Sequence, residues 1–218
     1  MPLPHWTNGP QPERDSTLAK TEIKINIGCG VSGVPGWVNL DNSPTILLSR
    51  LPLLKRWLAI PAWPRDVLRR DVRRGLPFPD DSVSYIYSSH TFEHFAFDES
   101  LALGKECFRV LKEGGILRVV VPDLALVVKE YLADPSDLAS HRFLDRLSIR
   151  QSLRDIVHPG SHHSQMLDAR SLTCLLRRAG FAEPEVSSFR QSAMPDIEAI
   201  ELDIRKRESL YVEARKTS

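Results

Sequence analysis

Residues 24–41, KINIGCGVSGVPGWVNLD, constrain the fold more than any other stretch of the chain. An alternating apolar–polar run ending at Ile27 stops at a glycine loop, and a second short run ending at Asp41 follows at once. The loop spells Gly28-x-Gly30-x-x-Gly33, which matches the dinucleotide-binding fingerprint. In that fingerprint a helix follows the glycines and receives pyrophosphate at its N-terminus, and an acid for the ribose comes about 20 residues later. Here Pro35-Gly36 interrupts the space for a helix, and Asp41 lies 13 residues after Gly28. The glycines form either a tight structural turn or a loop that a ligand approaches closely. Asp41 is either a loop cap or the acceptor for both hydroxyls of a ribose. A nucleoside ligand without phosphates fits this loop better than a dinucleotide.

Beyond this stretch, strand and helix signals alternate. Residues 82–89, SVSYIYSS, form a β-rich run after a turn at 77–82. Residues 97–115 carry apolar side chains at 101, 103, 107, 108, 110 and 111 and end in Gly114-Gly115, predicting an amphipathic helix with a glycine stop. ILRVVVPD (116–123) reads as a doubly buried strand. DARSLTCLLRRAGF (168–181) reads as a helix capped at Asp168 and stopped at Gly180, and 183–191 and 209–216 as two further strands. Alternation of this kind predicts a parallel sheet with helices on both faces. Ligands then bind beyond the carboxyl ends of the strands, which gathers the loops after Ile27, Leu40, Ser88 and Val121 around one crevice.

A chain of 218 residues suffices for one such domain and is short for two. Residues 1–20, polar and rich in proline, are expected to be a flexible arm, with a single domain over 21–218. A net charge of +1 gives no sign of nucleic-acid binding. The first 20 residues lack a continuous apolar stretch, and no run is long enough to span a bilayer, so a cytoplasmic protein is expected. Cys29, Cys107 and Cys174 are scattered and odd in number, which fits a reducing compartment and argues against a zinc knuckle.

INIGCG…PGWVNLD, LPFPDDSVSYIYSSHTFEH, LKEGGILRVVVPD and LTCLLRRAGF, in that order, resemble a class I S-adenosylmethionine-dependent methyltransferase. The similarity is to a subset with a shortened glycine loop (methyltransferase type 11-like) and covers roughly residues 23–215. It implies a doubly wound, Rossmann-like, mostly parallel seven-stranded sheet with the last strand antiparallel. It further implies S-adenosylmethionine as cofactor over strands one to four. Gly28, Cys29 and Gly30 would pass its methionine part, Asp41 with the adjoining Asn42 would meet the ribose, and Asp71 and Val72 would flank the adenine. Ser88, Ser89 and His90 would lie beside the sulfonium. Asn26, a further cofactor contact implied by the resemblance, stands where many members carry an acid and keeps the hydrogen bonding without the charge; Ser84 stands where an aspartate is common.

Five of the seven histidines fall in two loops: His90 and His94 in one, and His158, His162 and His163 in the other. His90, Glu93 and His94 share a face if their segment is helical. Three readings stay open. Glu93 and His94 form a packing pair under the crevice, or one histidine is a general base, or the cluster holds a divalent metal. The expected catalytic residues are His94 and His162, and no metal is assigned. The expected activity is O-methylation of a small molecule or glycan; the alternatives are an NAD-dependent oxidoreductase and a non-catalytic cofactor-binding protein. Residues 45–75 are basic, with Ile46, Leu47, Leu51, Leu54, Trp57 and Leu58 at roughly helical spacing. They read as a cover helix, or as a surface making weak contact with an anionic membrane.

Overall fold

The computed structural model describes residues 22–51, 61–134 and 163–217. Seven strands form one sheet: β1 (Lys24–Ile27), β2 (Val38–Asp41), β3 (Leu68–Arg69), β4 (Val83–Ser89), β5 (Leu111–Pro122), β6 (Glu185–Ser187) and β7 (Ser209–Arg215). Their spatial order is β3-β2-β1-β4-β5-β7-β6. All run parallel except β7, which is antiparallel to both neighbours. The expected seven-stranded sheet with a reversed last strand is therefore present. Connections lead outward from β1 in one direction and from β4 in the other, so the switch point lies between these two strands. Their pairing sets Ile27 beside Ser88, and Ile27 beside Leu40 on the other side. Three strand ends thus finish level with one another.

Helices α1 (Thr45–Leu48), α2 (Phe97–Val110), α3 (Leu124–Ala133), α4 (Ala169–Ala179) and α5 (Ile197–Ile200), with 3₁₀ turns at Val72–Arg74, Phe92–His94 and Asp203–Arg205, complete the described elements. On one face of the sheet, Leu103, Cys107 and Val110 of α2 and Leu172, Leu175 and Leu176 of α4 pack against Ile25, Ile27, Ile86, Leu117 and Val119. Each buried leucine contributes roughly 1.5–3 kcal/mol. The two helices approach closely at Gly104, where a Cβ would stand 2.9 Å from that of Ala179. Helix α4 begins as the sequence predicts: the Asp168 carboxylate accepts from the Ser171 N–H at 2.7 Å, and Gly180 follows the last turn with φ +120°. The opposite face carries Ile116, Val120, Tyr87 and Tyr211 under Val34, Trp37, Met194 and Ile200.

One boundary differs from the sequence reading. Helix α2 ends at Val110 rather than at Gly114-Gly115, because Leu111 is already extended, fully buried and paired with Val83. The two glycines serve the irregular entry of β5 instead. Gly114 has φ +76°, and a Cβ on Gly115 would meet the Lys112 carbonyl at 2.8 Å.

Candidate cofactor and acceptor site

A cleft of about 290 Å³ opens at the switch point. Ile27, Gly28, Leu40, Asp41, Asn42, Arg70, Asp71, Val72, Arg73, His90, Thr91, His94 and Phe95 line it. The glycine loop is tied to β2 by the Gly28 and Cys29 N–H groups, both donating to the Leu40 carbonyl at 2.8 and 3.2 Å. No helix follows the glycines; the chain turns at Pro35-Gly36 and enters β2 directly. The N–H groups and dipole that a pyrophosphate requires are therefore missing, which disfavours the dinucleotide alternative.

The three glycines have different structural reasons. A Cβ on Gly28 would stand 2.0 Å from Thr91 Oγ1, and one on Gly33 would meet the Asn39 amide at 3.1 Å. Gly30, with φ +54°, faces open space. Its N–H donates to Asp41 Oδ2 at 3.0 Å, while Asp41 Oδ1 accepts from Ser43 N–H at 2.8 Å. Each carboxylate oxygen keeps a further lone pair for a ribose hydroxyl. At the other wall, Asp71 accepts from the Arg73 backbone and, in bidentate fashion, from its guanidinium at 2.9 Å. That guanidinium hydrogen bond holds the Asp71 carboxyl below the usual carboxylate range. Val72, Leu40 and Phe95 supply apolar surface beside it. An acid for a diol, an apolar slot and a loop without a phosphate cradle fit a nucleoside ligand without phosphates.

Of the cofactor residues expected from sequence, Gly28, Asp41, Asn42, Asp71, Val72 and His90 line this cleft, as does His94. Asn26, Cys29, Gly30, Ser88 and Ser89 do not, and Ser88 is fully buried. Asn26 is buried and donates to Asn39 Oδ1 at 3.2 Å, behind the loop. Cys29 packs with Ile46, Val67 and Trp63, and burial, reinforced by the Asp41 charge, pushes its thiol up to about 12. Ser89 contributes its carbonyl to Thr91 Oγ1 at 3.3 Å. Thr91 was missed, although a hydroxyl just past a strand tip was the available signal. So was Asn39, whose amide also joins Val34 and Trp37; an asparagine inside an apolar strand was its mark.

The histidine cluster is assembled by a single 3₁₀ turn, Phe92–His94, not by an α-helix. His90, at φ +52°, places Nε2 3.0 Å from Ser209 Oγ and Nδ1 3.2 Å from Glu93 Oε1. His163 meets His94 edge-on, with ring centroids 5.1 Å apart. His158 and His162 lie outside the described residues, as does part of the apolar stripe expected between Ile46 and Leu58. Within the basic segment, Arg73 is paired with Asp71, and Arg70 donates to the Gly75 carbonyl.

Residues 25–119 match the family model described as a methyltransferase domain. A probable S-adenosylmethionine-dependent methyltransferase of Mycolicibacterium smegmatis is 28% identical over 136 residues, 60% of this chain and 43% of that protein. The chain thus spans less than half the length of the curated relative it matches. Among solved structures, a SAM-dependent methyltransferase from Archaeoglobus fulgidus superposes with TM-score 0.52 at 13% identity, covering 89% of this chain and 86% of the other. A chain from the complex between the Haloferax volcanii Trm112 methyltransferase activator and the putative methyltransferase gives 0.51 at 19% identity, covering 91% and 83%. At these identities the structures speak for the fold alone.

Proposed function

We propose, from the premise that this chain carries a class I S-adenosylmethionine-dependent methyltransferase domain, that it methylates an oxygen of a small molecule or glycan. The observation that carries this reading is the position of the Asp41 carboxylate at the tip of β2, on the same cleft as Gly28, Val72 and His94. When bound, S-adenosylmethionine supplies an electrophilic methyl group on sulfur. Asp41 accepts the ribose hydroxyls, and Val72, Leu40 and Phe95 exclude water from the adenine. Much of the acceleration comes from aligning the acceptor oxygen with the methyl group. His94, on the cleft wall, takes the proton from an acceptor hydroxyl; a histidine is suited to this near neutral pH.

Calorimetry with S-adenosylmethionine and its demethylated product tests the reading. Folded protein should bind both, and Asp41→Ala should weaken binding by about 1.5–3 kcal/mol, the scale of hydrogen bonds to a charged group. Asp41 also holds the Gly30 and Ser43 N–H groups, so Asp41→Asn with a circular dichroism check separates ligand contact from loop collapse. No binding by the intact, folded chain would end the assignment.

A further inference from the structure

We infer that Glu93, His94 and His163 form a binding site for a divalent transition-metal ion of the zinc type, set against the cofactor cleft. Each of the three offers one ligand atom, and these atoms lie within 4.8 Å of one another. Zinc bonds imidazole nitrogen and carboxylate oxygen at about 2.0–2.2 Å, so an ion between them would draw the three inward by small side-chain rotations. Two histidines and one carboxylate are a recurrent donor set for zinc with an open coordination position, and for non-haem iron.

The state of Glu93 is what demands an occupant. Its side chain is 1% exposed, yet among the described residues neither carboxylate oxygen accepts a hydrogen bond. His90 Nδ1 stands 3.2 Å from Oε1 without forming a hydrogen bond to it, and that ring is also engaged with Ser209. An ionised carboxylate buried without such bonds is costly, and metal coordination is one of the few arrangements that removes the cost. His90, beside Oε1, then acts as the outer partner that orients a ligating carboxylate.

The protein also holds the three ligands in place by other means. The Ser164 and Gln165 N–H groups both donate to the Glu93 carbonyl, at 2.8 and 3.2 Å. Ser164 Oγ donates to the His94 carbonyl at 2.9 Å, and Gln165 Nε2 reaches the Phe92 carbonyl and Ser100 Oγ. The segment carrying His163 is thereby clamped onto the turn carrying Glu93 and His94. Residues distant in sequence are fixed side by side before any ion arrives.

His94 is the triad member that lines the cleft, so the ion would stand next to the acceptor side. The role of the ion, unlike its binding, rests on the methyltransferase reading. Three protein ligands leave one position for an acceptor hydroxyl, whose pKa the ion lowers, with the proton leaving to solvent. With the ion bound, His94 serves as its ligand, and this route replaces the proton transfer to His94 proposed for the metal-free site.

The test uses full-length protein stripped with a chelator and titrated with Co²⁺ alone. One equivalent should bind with a visible ligand-field absorption of four- or five-coordinate intensity and be displaced by Zn²⁺. Glu93→Gln and His163→Asn should each weaken Co²⁺ binding by roughly tenfold or more, with folding checked by circular dichroism. Absence of the absorption in folded wild-type protein, or affinity unchanged in both folded variants, overturns the site. Cofactor calorimetry on the same stripped sample keeps the two readings apart. Protein that binds S-adenosylmethionine but no cobalt loses only the metal site. Protein that binds cobalt but no S-adenosylmethionine keeps the metal site and loses the methyltransferase reading.

Discussion

The hydroxyl of Thr91 fills the space that a Cβ on Gly28 would need, 2.0 Å from where that atom would stand. Thr91 Oγ1 in turn lies 3.3 Å from the Ile27 and Ser89 carbonyls, so it closes the seam between the ends of β1 and β4. The glycine is therefore required by the protein's own packing, before any ligand is considered. This relationship also fixes the floor on which a cofactor would rest.

Gly28 and Gly30 share a left-handed conformation, φ +69° and +54°, but only Gly28 is crowded. An alanine in this region costs roughly 1–2 kcal/mol in backbone strain. Gly30→Ala should lose about that much in urea denaturation, and Gly28→Ala clearly more because the Thr91 hydroxyl must move. Adding Thr91→Ala to Gly28→Ala should recover part of the excess. Equal losses for the two single variants would show that the crowding carries no energy.

Cys29 should be chemically silent in the folded protein. The thiolate is the reactive form, and a thiol pushed up to about 12 is ionised at pH 8 in roughly one molecule in ten thousand, against about a quarter for a free cysteine. Burial is the larger cause and the Asp41 charge the second. Alkylation at pH 8 followed by mass spectrometry should label exposed Cys174 and spare Cys29 and the buried Cys107. Because a nearby anion raises a thiol's pKa, Asp41→Asn should speed labelling of Cys29, which burial still keeps slower than Cys174. Rapid labelling of Cys29 in native protein would contradict its packing against Ile46 and Val67.

What the sequence made legible was local. A glycine after a strand, an aspartate ahead of an apolar helix face and a proline that forbids a helix each act within a few residues, and β1, α4 and the helix-free loop followed from them. The start of β5 was misplaced because glycine serves both to stop a helix and to let two backbones approach, and Gly115 does the latter. Non-local relationships left weaker marks. That His163 would lie against Glu93 depends on how the segment at 163–165 docks on the turn at 92–94, which no periodicity encodes. Asn26 looked like a ligand contact because it precedes the glycines, but Asn39, paired with it across β1 and β2, uses its amide.

Arg118 is the clearest case of a feature hidden from sequence, and it leads to the last prediction. It lies in the apolar run of β5 and its side chain is fully buried among Ile116, Val120 and Tyr211. Its Nε donates to Glu201 at 2.5 Å and its terminal nitrogens to the Ser188 and Gln191 carbonyls at 2.8 and 3.1 Å. Glu213 stands 3.3 Å away. These partners bring residues 188–201 down over the sheet face that carries no long described helix. Removing one member of a buried ion pair costs about 3–5 kcal/mol, because the partner is left charged and desolvated. Arg118→Met should therefore lose that much in urea denaturation, since the Glu201 side chain is only 1% exposed. The double variant Arg118→Met, Glu201→Gln should recover a large share, because the fully buried carboxylate is then neutral, while Glu213 is partly exposed to water. Cofactor affinity of the folded fraction should not change in either variant, as neither residue lines the cleft. If Arg118→Met costs less than about 1 kcal/mol, the scale of an exposed pair, water reaches Glu201 and the ion pair is not desolvated as described.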